Sequence, residues 1–202
     1  FDTDGTDNAG IGNDTISGAN GVFGSKFDDT ITGSSGADFL LGGAGNDVID
    51  GGSNPTLSVS QQGDRVDYFN SDSGVIVDLS TAANATVGSG TAQDGFGGTD
   101  TLINIEDIRG SREFGDILTG DAGINRIRGE GGDDIIRAGA GDDRLRGGAG
   151  ADILDGGDGN DRVEYFSSAE GVTVNRANSE LVSGGNAEGE SLINIEGIAG
   201  RT

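Results

Sequence analysis

Residues 111–164 consist of six nonapeptides that follow one another without a gap. The last three cover residues 138–146, 147–155 and 156–164, and each opens with a glycine-rich run. The sixth position is Asp in five of the six nonapeptides, and Asn125 takes this position in the other. A fixed nine-residue period indicates a solenoid, because each repeat buries its apolar residue only by stacking on its neighbours. The eighth position is always aliphatic and is predicted to point inward: Leu118, Ile127, Ile136, Leu145, Leu154 and Val163.

The nonapeptide predicts a tight turn followed by a three-residue strand. Glycine accepts backbone conformations with positive φ, so the first six residues can turn sharply and direct their carbonyls towards one point. In the strand, the middle residue faces one side and the outer two residues face the other. Two nonapeptides therefore make one coil, and eighteen residues bring the chain back about 4.8 Å further along the stack.

Apolar contacts alone are too few to hold such a stack together, because a glycine-rich chain loses much conformational entropy on folding. Stacked turns place the sixth-position carboxylates above one another, where they repel unless a cation lies between them. Carboxylate and carbonyl oxygens are ligands that Ca²⁺ takes. The alternative is a set of Asp-capped turns without metal, but turn chemistry does not require Asp at every ninth position. The spacing therefore favours cation sites along the turns.

The composition excludes several classes of site. Among the 202 residues there are 41 Gly, one Pro and no Cys, His, Met or Trp. Without Cys and His, zinc sites of the usual type and Ser-His or Cys-His nucleophiles are excluded. The formal charge is −23 and 32% of the residues are hydrophobic, a balance typical of disordered chains. We therefore expect the chain to be unfolded without metal, with no nucleic-acid partner and no membrane span.

The repeat is similar to the G-G-x-G-x-D-x-U-x nonapeptide, with U aliphatic, of the RTX (repeats-in-toxin) family. This resemblance implies an all-β fold, the parallel β-roll, that binds calcium. It also implies a non-catalytic segment of a larger bacterial protein, such as an adhesin or a toxin, that leaves the cell by type I secretion. Its partners would be calcium and the rest of the parent polypeptide. The segment would stay extended at cytosolic calcium levels and fold outside the cell or at the cell surface.

Two other functions are weighed against this one. An accessory module that binds an anionic polysaccharide for a secreted carbohydrate-active enzyme is the alternative, and the Tyr-Phe pairs 68–69 and 165–166 would then form a carbohydrate platform. We favour these aromatic residues as caps at the end of a roll. An enzyme would need a carboxylate pair or a Tyr base in a cleft, but the regularly spaced carboxylates are assigned to metal. We therefore predict no catalytic activity.

The chain also has a longer period. The segment Asp64-Arg-Val-Asp-Tyr-Phe69 returns as Asp161-Arg-Val-Glu-Tyr-Phe166, and Thr101-Leu-Ile-Asn-Ile-Glu106 returns as Ser191-Leu-Ile-Asn-Ile-Glu196. Alternation of apolar and polar residues predicts strands in both copies. The predicted organisation is two rolls separated by strand-rich spacer segments: an irregular first roll over 1–53, a spacer over 54–110, a second roll over 111–164 and a second spacer over 165–202.

In RTX rolls a Ca²⁺ ion lies between one turn and the turn two nonapeptides later. The earlier turn offers carbonyls at positions 2 and 4 with its Asp, and the later turn offers carbonyls at positions 1 and 3 with its Asp. For the second roll the resemblance implies two complete sites and a third whose first turn departs from the glycine pattern. The complete sites are Glu130, Gly132 and Asp134 with Gly147, Ala149 and Asp152, and Gly139, Gly141 and Asp143 with Gly156, Asp158 and Asp161. The third site is Arg112, Phe114 and Asp116 with Gly129, Gly131 and Asp134.

The remaining sites implied by the resemblance are less regular. The fourth site of the second roll has Asn at one sixth position and should be weaker: Asp121, Gly123 and Asn125 with Ala138, Ala140 and Asp143. The first roll offers Ser25, Phe27 and Asp29 with Gly42, Ala44 and Asp47, and, if residues 18–23 form a shortened half-coil, Gly10, Gly12 and Asp14 with Gly24, Lys26 and Asp29. Asp38 is paired with the turn at 51–53. The expected total is four to seven Ca²⁺ ions.

The outer faces of the second roll are predicted to differ, because positions 7 and 9 point outward and alternate nonapeptides lie in one sheet. One sheet carries Arg126, Arg128, Arg144, Arg146 and Arg162, and the other carries a column of Ile117, Ile135 and Ile153. We interpret the arginines as charge balance, with recognition of an anionic glycan or surface as the alternative. A strand such as 171–174 is expected to cover the isoleucines, since an exposed column would promote aggregation.

Overall fold

The computed structural model describes residues 13–14, 21–53, 63–80, 89–174 and 182–200. Their regular structure is β-strand throughout, apart from a single 3₁₀ turn at Gly185–Ala187. The strands, numbered along the chain, form two long sheets and one hairpin of β17 (Thr173–Val174) and β18 (Val182–Ser183). Within these residues no helix has the length and apolar character needed to cross a membrane.

The first sheet has ten strands, all parallel to their neighbours except β8, which is antiparallel to both of its neighbours. In spatial order they are β1 (Asn13–Asp14), β3 (Thr30–Thr32), β5 (Val48–Asp50), β9 (Thr99–Ile103), β8 (Ser89–Gln93), β7 (Ile76–Asp78), β11 (Ile117–Thr119), β13 (Ile135–Gly141), β15 (Ile153–Gly159) and β19 (Ser191–Ile193). The second sheet has eight parallel strands. In spatial order they are β2 (Val22–Phe23), β4 (Phe39–Leu41), β6 (Arg65–Asp67), β10 (Asp107–Arg109), β12 (Arg126–Gly131), β14 (Arg144–Ala149), β16 (Arg162–Glu164) and β20 (Gly197–Ala199).

The strand register confirms the eighteen-residue coil. In the first sheet Ile117 pairs with Ile135, which pairs with Ile153 on its other side. In the second sheet Arg126 and Arg162 flank Arg144 in the same way. From β10 to β16 the chain alternates between the two sheets, so each coil of the second roll adds one strand to each of them. The predicted fold class, an all-β parallel β-roll, is therefore confirmed.

Strands from the two segments predicted as spacers lie in the same two sheets as the rolls. In the second sheet β6 and β10 connect β4 of the first roll to β12 of the second. In the first sheet β9, β8 and β7 connect β5 to β11. Their middle residues, such as Val66 and Leu102, are apolar and fully buried. The spacer strands therefore lengthen the roll, because each supplies an inward apolar residue where a nonapeptide would supply one.

The core is a single layer of aliphatic side chains between the two sheets. All six eighth-position residues of the second roll have no exposed surface, as predicted. The inward residues predicted for the first roll, Ile31, Leu40 and Ile49, are 4%, 0% and 0% exposed. Each coil therefore buries few apolar side chains, and the apolar contribution per residue is small for a chain with 41 glycines.

The outward isoleucine column forms as predicted but is not covered as predicted. Ile117 and Ile153 are 38% and 42% exposed, and Ile76 of β7 extends the column with 41%. The expectation that 171–174 would lie over them is wrong: Thr173 and Val174 pair with Val182 and Ser183 in the hairpin. Their backbone groups find antiparallel partners there, and Val172 and Val174 pack against the edge of the core.

Candidate metal centre

The last residue of the turn before a strand is acidic in most coils, and these residues stack in two columns. Ladder 1 belongs to the first sheet, where Asp100 is the second residue of β9 and the others directly precede a strand: Asp29, Asp47, Asp100, Asp116, Asp134, Asp152 and Glu190. Ladder 2 precedes strands of the second sheet and contains Asp38, Asp64, Glu106, Asn125, Asp143, Asp161 and Glu196. Strands β8 and β7 interrupt ladder 1 between Asp100 and Asp116.

Most rungs of a ladder are joined to the next by a hydrogen bond between backbone and side chain. The N–H of Asp116 donates to Asp134 Oδ1 at 2.8 Å, and the N–H of Asp134 donates to Asp152 Oδ1 at 2.9 Å. In ladder 2, the N–H of Asp143 donates to Asp161 Oδ1 at 2.8 Å. One carboxylate oxygen of each of these later residues is thus used to hold adjacent coils in register.

The other carboxylate oxygen is buried and accepts no hydrogen bond in seven of the ladder residues. A buried carboxylate oxygen without a donor costs free energy unless a cation replaces the lost water. No three Asp, Glu, His or Cys side chains of the described residues converge on one point, so a cation held here also needs backbone carbonyls. The seven atoms are Asp38 Oδ1, Glu190 Oε1 and the Oδ2 atoms of Asp47, Asp134, Asp143, Asp152 and Asp161.

Backbone carbonyls of adjacent turns point into the same gaps. The carbonyls of Glu130 and Gly132 face Gly148 and Gly150 so closely that a Cβ on either glycine would collide with them. From the later turn, the Gly147 carbonyl points back towards Gly129, where it would lie 2.9 Å from an ideal Cβ. Such a Cβ would also collide with Asp134 Oδ2. Carboxylate and carbonyl oxygens therefore meet in front of this glycine, and they are the hard oxygen ligands that Ca²⁺ prefers.

Four of the predicted ligand sets lie on adjacent coils in this arrangement. In each set a rung hydrogen bond joins the two turns, and carbonyls of the earlier turn face residues of the later turn, mostly glycines. They are Glu130, Gly132 and Asp134 with Gly147, Ala149 and Asp152; Gly139, Gly141 and Asp143 with Gly156, Asp158 and Asp161; Asp121, Gly123 and Asn125 with Ala138, Ala140 and Asp143; and Ser25, Phe27 and Asp29 with Gly42, Ala44 and Asp47.

The third predicted site of the second roll differs from the others because its first turn is one residue longer. Arg109 pairs with Arg128, which places Gly110, rather than Ser111, in register with Gly129. The N–H of Ser111 donates to Asp116 Oδ2 at 2.7 Å, and the N–H of Val75 donates to Asp116 Oδ1 at 2.8 Å. The carbonyls of Arg112 and Phe114 still face the later turn, near Gly131 and Gly132. Since both oxygens of Asp116 accept hydrogen bonds, this turn needs a cation less than its neighbours.

Asn125 continues ladder 2 without adding charge. Its Nδ2 donates to the Glu106 carbonyl at 2.9 Å, and its Oδ1 accepts from the N–H of Asp121 at 2.9 Å. A carboxylate cannot donate the first of these bonds. The neutral amide therefore joins the coil of Glu106 to the second roll by direct hydrogen bonding.

The irregular sites of the first roll are only partly described. Gly10 and Gly12 lie outside the described residues. Asp14 is paired with Ile31, whereas the predicted site with Gly24 and Lys26 requires it beside Asp29. The register therefore places Asp14 two positions beyond the one beside Asp29.

Asp38 has a partner that the nine-residue frame does not predict. Its N–H donates to Asp64 Oδ1 at 2.8 Å, and the Gly51 carbonyl faces Gly33. Counted from Gly51, the acidic partner of Asp38 is therefore Asp64, which lies several residues after the sixth position of a nonapeptide.

Sequence reasoning missed five ladder residues: Asp64, Asp100, Glu106, Glu190 and Glu196. The repeated motifs contained the information needed to find some of them. Asp64 occupies the same place in its motif as Asp161, a predicted ligand, and Glu106 occupies the same place as Glu196. Glu106 Oε2 accepts from the N–H of Asp64 at 2.9 Å, and Glu196 Oε2 accepts from the N–H of Asp161 at 2.8 Å. The longer Glu side chain thus takes the part that Asp plays elsewhere.

Two tyrosines contact ladder 1, one in each copy of the long repeat: Tyr68 at the interruption after Asp100, and Tyr165 at the last residue, Glu190. Tyr68 is 3% exposed and its hydroxyl donates to Asp100 Oδ2 at 2.9 Å. Tyr165 is 4% exposed and its hydroxyl donates to Glu190 Oε2. A ring buried in this way cannot stack on a sugar, so these tyrosines close the ladder. The burial favours the interpretation of the Tyr-Phe pairs as caps.

The pKa values of the ladder carboxylates reflect burial and mutual repulsion. Burial, with a smaller contribution from Asp152 and Asp116, raises the pKa of Asp134 to about 8. Burial, with Asp161 and Asp121, raises the pKa of Asp143 to about 7. The charged form is thus disfavoured in the folded chain, and either a proton or a cation relieves it.

The RTX calcium-binding nonapeptide repeat profile matches the chain in four copies, at residues 8–22, 23–54, 112–145 and 131–163. These segments belong to the RTX calcium-binding repeat family. No curated protein matches the chain. RTX repeats indicate a calcium-binding β-roll module of structural character, and the donor set of the ladders fits the ion. Residues 64–110, which join the two rolls, lie outside the matched segments.

Proposed function

We propose that the chain is a calcium-dependent folding module of a larger secreted protein. In this proposal it leaves a bacterial cell unfolded by type I secretion and folds outside the cell or at its surface. Its work is conditional folding, without catalysis. Extracellular calcium-binding modules commonly have dissociation constants near 10⁻⁴–10⁻³ M, so cytosolic calcium would leave the chain unfolded.

The observation that carries this proposal is the set of buried ladder oxygens without hydrogen-bond partners. In the folded chain, stacked carboxylates with no donor destabilise each coil unless an ion lies between them. The thin core cannot offset this repulsion in a chain of charge −23. The free energy of calcium binding would therefore be the free energy of folding. The ligand sets above predict four to seven ions.

Far-ultraviolet circular dichroism, first with chelator and then with millimolar Ca²⁺, tests the proposal. We expect a coil spectrum in chelator and a β spectrum in calcium, with Mg²⁺ at the same concentration as control, because Mg²⁺ demands a tighter octahedral shell. A β spectrum that persists unchanged in chelator would overturn the proposal.

A second function has a specific observation in its favour. On the outer face of the second sheet, Arg126, Arg144 and Arg146 converge on Glu164, with N–O distances of 3.4, 3.8 and 3.4 Å. Burial, with Arg126 and Arg146 as neighbours, lowers the pKa of Arg128 to about 10. This pairing supports charge balance in part, but three of the five arginines on this face share one glutamate, and Glu164 forms no ion pair with Arg128 or Arg162. Arg presents a planar donor fork to carboxylates, so binding of an anionic polysaccharide is the second candidate.

Titration with uronate oligomers in saturating calcium separates the two functions. Replacing Arg126, Arg144 and Arg162 with Ser should abolish oligomer binding while calcium-induced folding is retained. The control is Arg137→Ser, which removes a cation from the face of the other sheet. If the intact module binds no uronate oligomer, the arginines serve charge balance alone.

A further inference from the structure

The turn between β8 and β9 stacks on a turn of the first roll. The N–H of Asp47 donates to Asp100 Oδ1 at 3.1 Å, and the N–H of Thr99 donates to Asn46 Oδ1 at 3.2 Å. A Cβ on Gly98 would collide with the Gly45 carbonyl oxygen. This is the relation that successive glycine-rich turns have in the second roll, but residues 94–100 are not part of any nonapeptide frame.

Asp94 occupies the start of this turn and is fully buried. Its Oδ1 accepts three backbone N–H groups, from Phe96, Gly97 and Gly98, at 2.8, 2.9 and 2.8 Å. Its Oδ2 is buried and accepts no hydrogen bond. One carboxylate oxygen thus shapes the turn, and the other is left for a partner of another kind.

Two further oxygens belong to the turn on which this turn stacks. An ideal Cβ on Gly98 would lie 2.7 Å from Asp94 Oδ2 and would overlap the Gly45 carbonyl, so these two oxygens share the space in front of Gly98. Asp47 ends the turn that carries Gly45, and its Oδ2, which lies in front of Gly42, is buried without a hydrogen-bond partner. Two buried carboxylate oxygens without donors on stacked turns cost free energy unless a cation compensates them.

We propose that Asp94 Oδ2, Asp47 Oδ2 and the Gly45 carbonyl bind an additional Ca²⁺ ion between the first roll and the β8–β9 turn. The proposal rests on the calcium-binding function above and adds a site outside the nonapeptide pairs. Three protein oxygens leave room for waters in a shell of six to eight ligands. Asp100 supports the site from behind, since both of its oxygens accept hydrogen bonds, from the N–H of Asp47 and from Tyr68.

The second copy of the long repeat provides an internal contrast. The two copies of the Leu-Ile-Asn-Ile-Glu motif directly follow Thr101 and Ser191. Asp94 lies seven residues before Thr101, and Gly184 lies seven residues before Ser191. Glu190 is held by Tyr165 as Asp100 is by Tyr68, but the other carboxylate of that turn, Glu188, is exposed and accepts from the N–H of Gly184 at 3.0 Å. The proposed site is therefore specific to the first junction.

The variant Asp94→Asn distinguishes the two roles of Asp94, as a cation ligand through Oδ2 and as a cap of the turn through Oδ1. Asn keeps an Oδ1 acceptor for the three N–H groups and replaces Oδ2 by an amide that cannot bind a cation. Native mass spectrometry of the calcium-loaded chain should count one ion fewer for D94N than for the wild type. The control is Asp78→Asn, since Asp78 Oδ1 caps the N–H of Ser80 at 2.8 Å in the neighbouring strand and belongs to no proposed site; its ion count should equal that of the wild type.

The outcomes distinguish this site from the function on which it rests. If the wild type binds no calcium, both proposals fail. If the wild type binds calcium and D94N binds the same number of ions, this site alone is overturned. Because a variant can fail to fold, crystals of the calcium-loaded wild type give an independent measurement. An anomalous difference peak between Asp47 and Asp94 is expected there, and water-level density at that point would overturn the site.

Discussion

The backbone N–H of Asp134 donates a 2.9 Å hydrogen bond to Oδ1 of Asp152, eighteen residues further along the chain. Asp152 therefore sets the register of adjacent coils with one oxygen, while its Oδ2 stays buried and without a donor. In the proposed module, one oxygen of Asp152 fixes the register and the other is available to bind the cation. Loss of the ion leaves the charge of this carboxylate uncompensated, so the coil and the site are expected to form together.

Gly147→Ala should weaken both folding and calcium binding. A Cβ at Gly147 would collide with Asp152 Oδ2 and would lie 2.9 Å from Asp152 Cβ, so the carboxylate must leave the gap between the turns. The control is Gly171→Ala, because a Cβ there meets nothing within 4 Å. We expect the calcium midpoint of folding, followed by circular dichroism, to rise several-fold for G147A and to stay unchanged for G171A. Equal midpoints would contradict the ligand geometry.

Acid should partly replace calcium in the metal-free chain. The folded-state pKa values of Asp134 and Asp143, about 8 and about 7, lie above their ordinary value of 3.8. The folded state therefore binds protons more tightly than the unfolded state. The resulting stability is fully present below about pH 4 and is lost as pH rises through about 7 to 8.

Circular dichroism in chelator between pH 4 and pH 9 measures this effect. We expect more β structure at the acid end, and a smaller pH dependence when Asp134 and Asp143 are both replaced by Asn. A metal-free chain that gains β structure as pH rises would contradict the prediction.

Asn125→Asp should make the second roll more dependent on calcium. The variant loses the Nδ2 donor to the Glu106 carbonyl and places a carboxylate beside that oxygen. We expect less residual structure in chelator and a steeper calcium dependence of folding, because a charged ligand replaces a neutral one. Calorimetric titration of N125D against the wild type measures the change. The matched opposite change is Asp143→Asn, which removes the charge from the rung that follows Asn125. Calcium affinity should fall in this variant.

Glu130→Gly should give a more stable calcium-loaded roll than Glu130→Ala. Glu130 has φ of 83°, while the equivalent residues Gly139, Gly148 and Gly157 are glycines with positive φ. A side chain in this region costs about 1–2 kcal/mol. Both variants lose the half-exposed ion pair with Arg109, worth at most about 1 kcal/mol, but only glycine relieves the strain. Thermal unfolding in saturating calcium should therefore rank E130G above E130A, and the reverse order would contradict the strain.

The nine-residue period was sufficient to predict the coil, the core and the stacking of Asp134 on Asp152. These features depend on local spacing, because a strand of three residues and a turn of six repeat without long-range information. The outward columns, such as Ile117, Ile135 and Ile153, followed from the same spacing.

The part that the sequence did not reveal lies where the spacing breaks. Asp100 stacks on Asp47 from 53 residues away, and no local period connects these positions. Asp64 and Glu106 belong to motifs that were interpreted as spacer strands. Their place in ladder 2 depends on which strands become neighbours, and that is decided by tertiary pairing. The cover expected over the isoleucines failed for a similar reason, since Thr173 and Val174 pair locally with Val182 and Ser183.

The antiparallel strand β8 has a consequence for the order of assembly. A regular roll can grow like a zipper, adding each coil as the chain becomes available. Here the neighbour of β5 is β9, and β7, although earlier in the chain, reaches β5 only through β8 and β9; its other neighbour is the later strand β11. Growth of the first sheet from the N-terminal side must therefore wait after Asp50 until Ile103 has arrived, although β6 can already pair with β4 in the second sheet. The pairing of β5 with β9 joins residues far apart in the sequence, and contacts of this kind form slowly. We therefore expect this pairing to limit the rate at which the two rolls join into one stack.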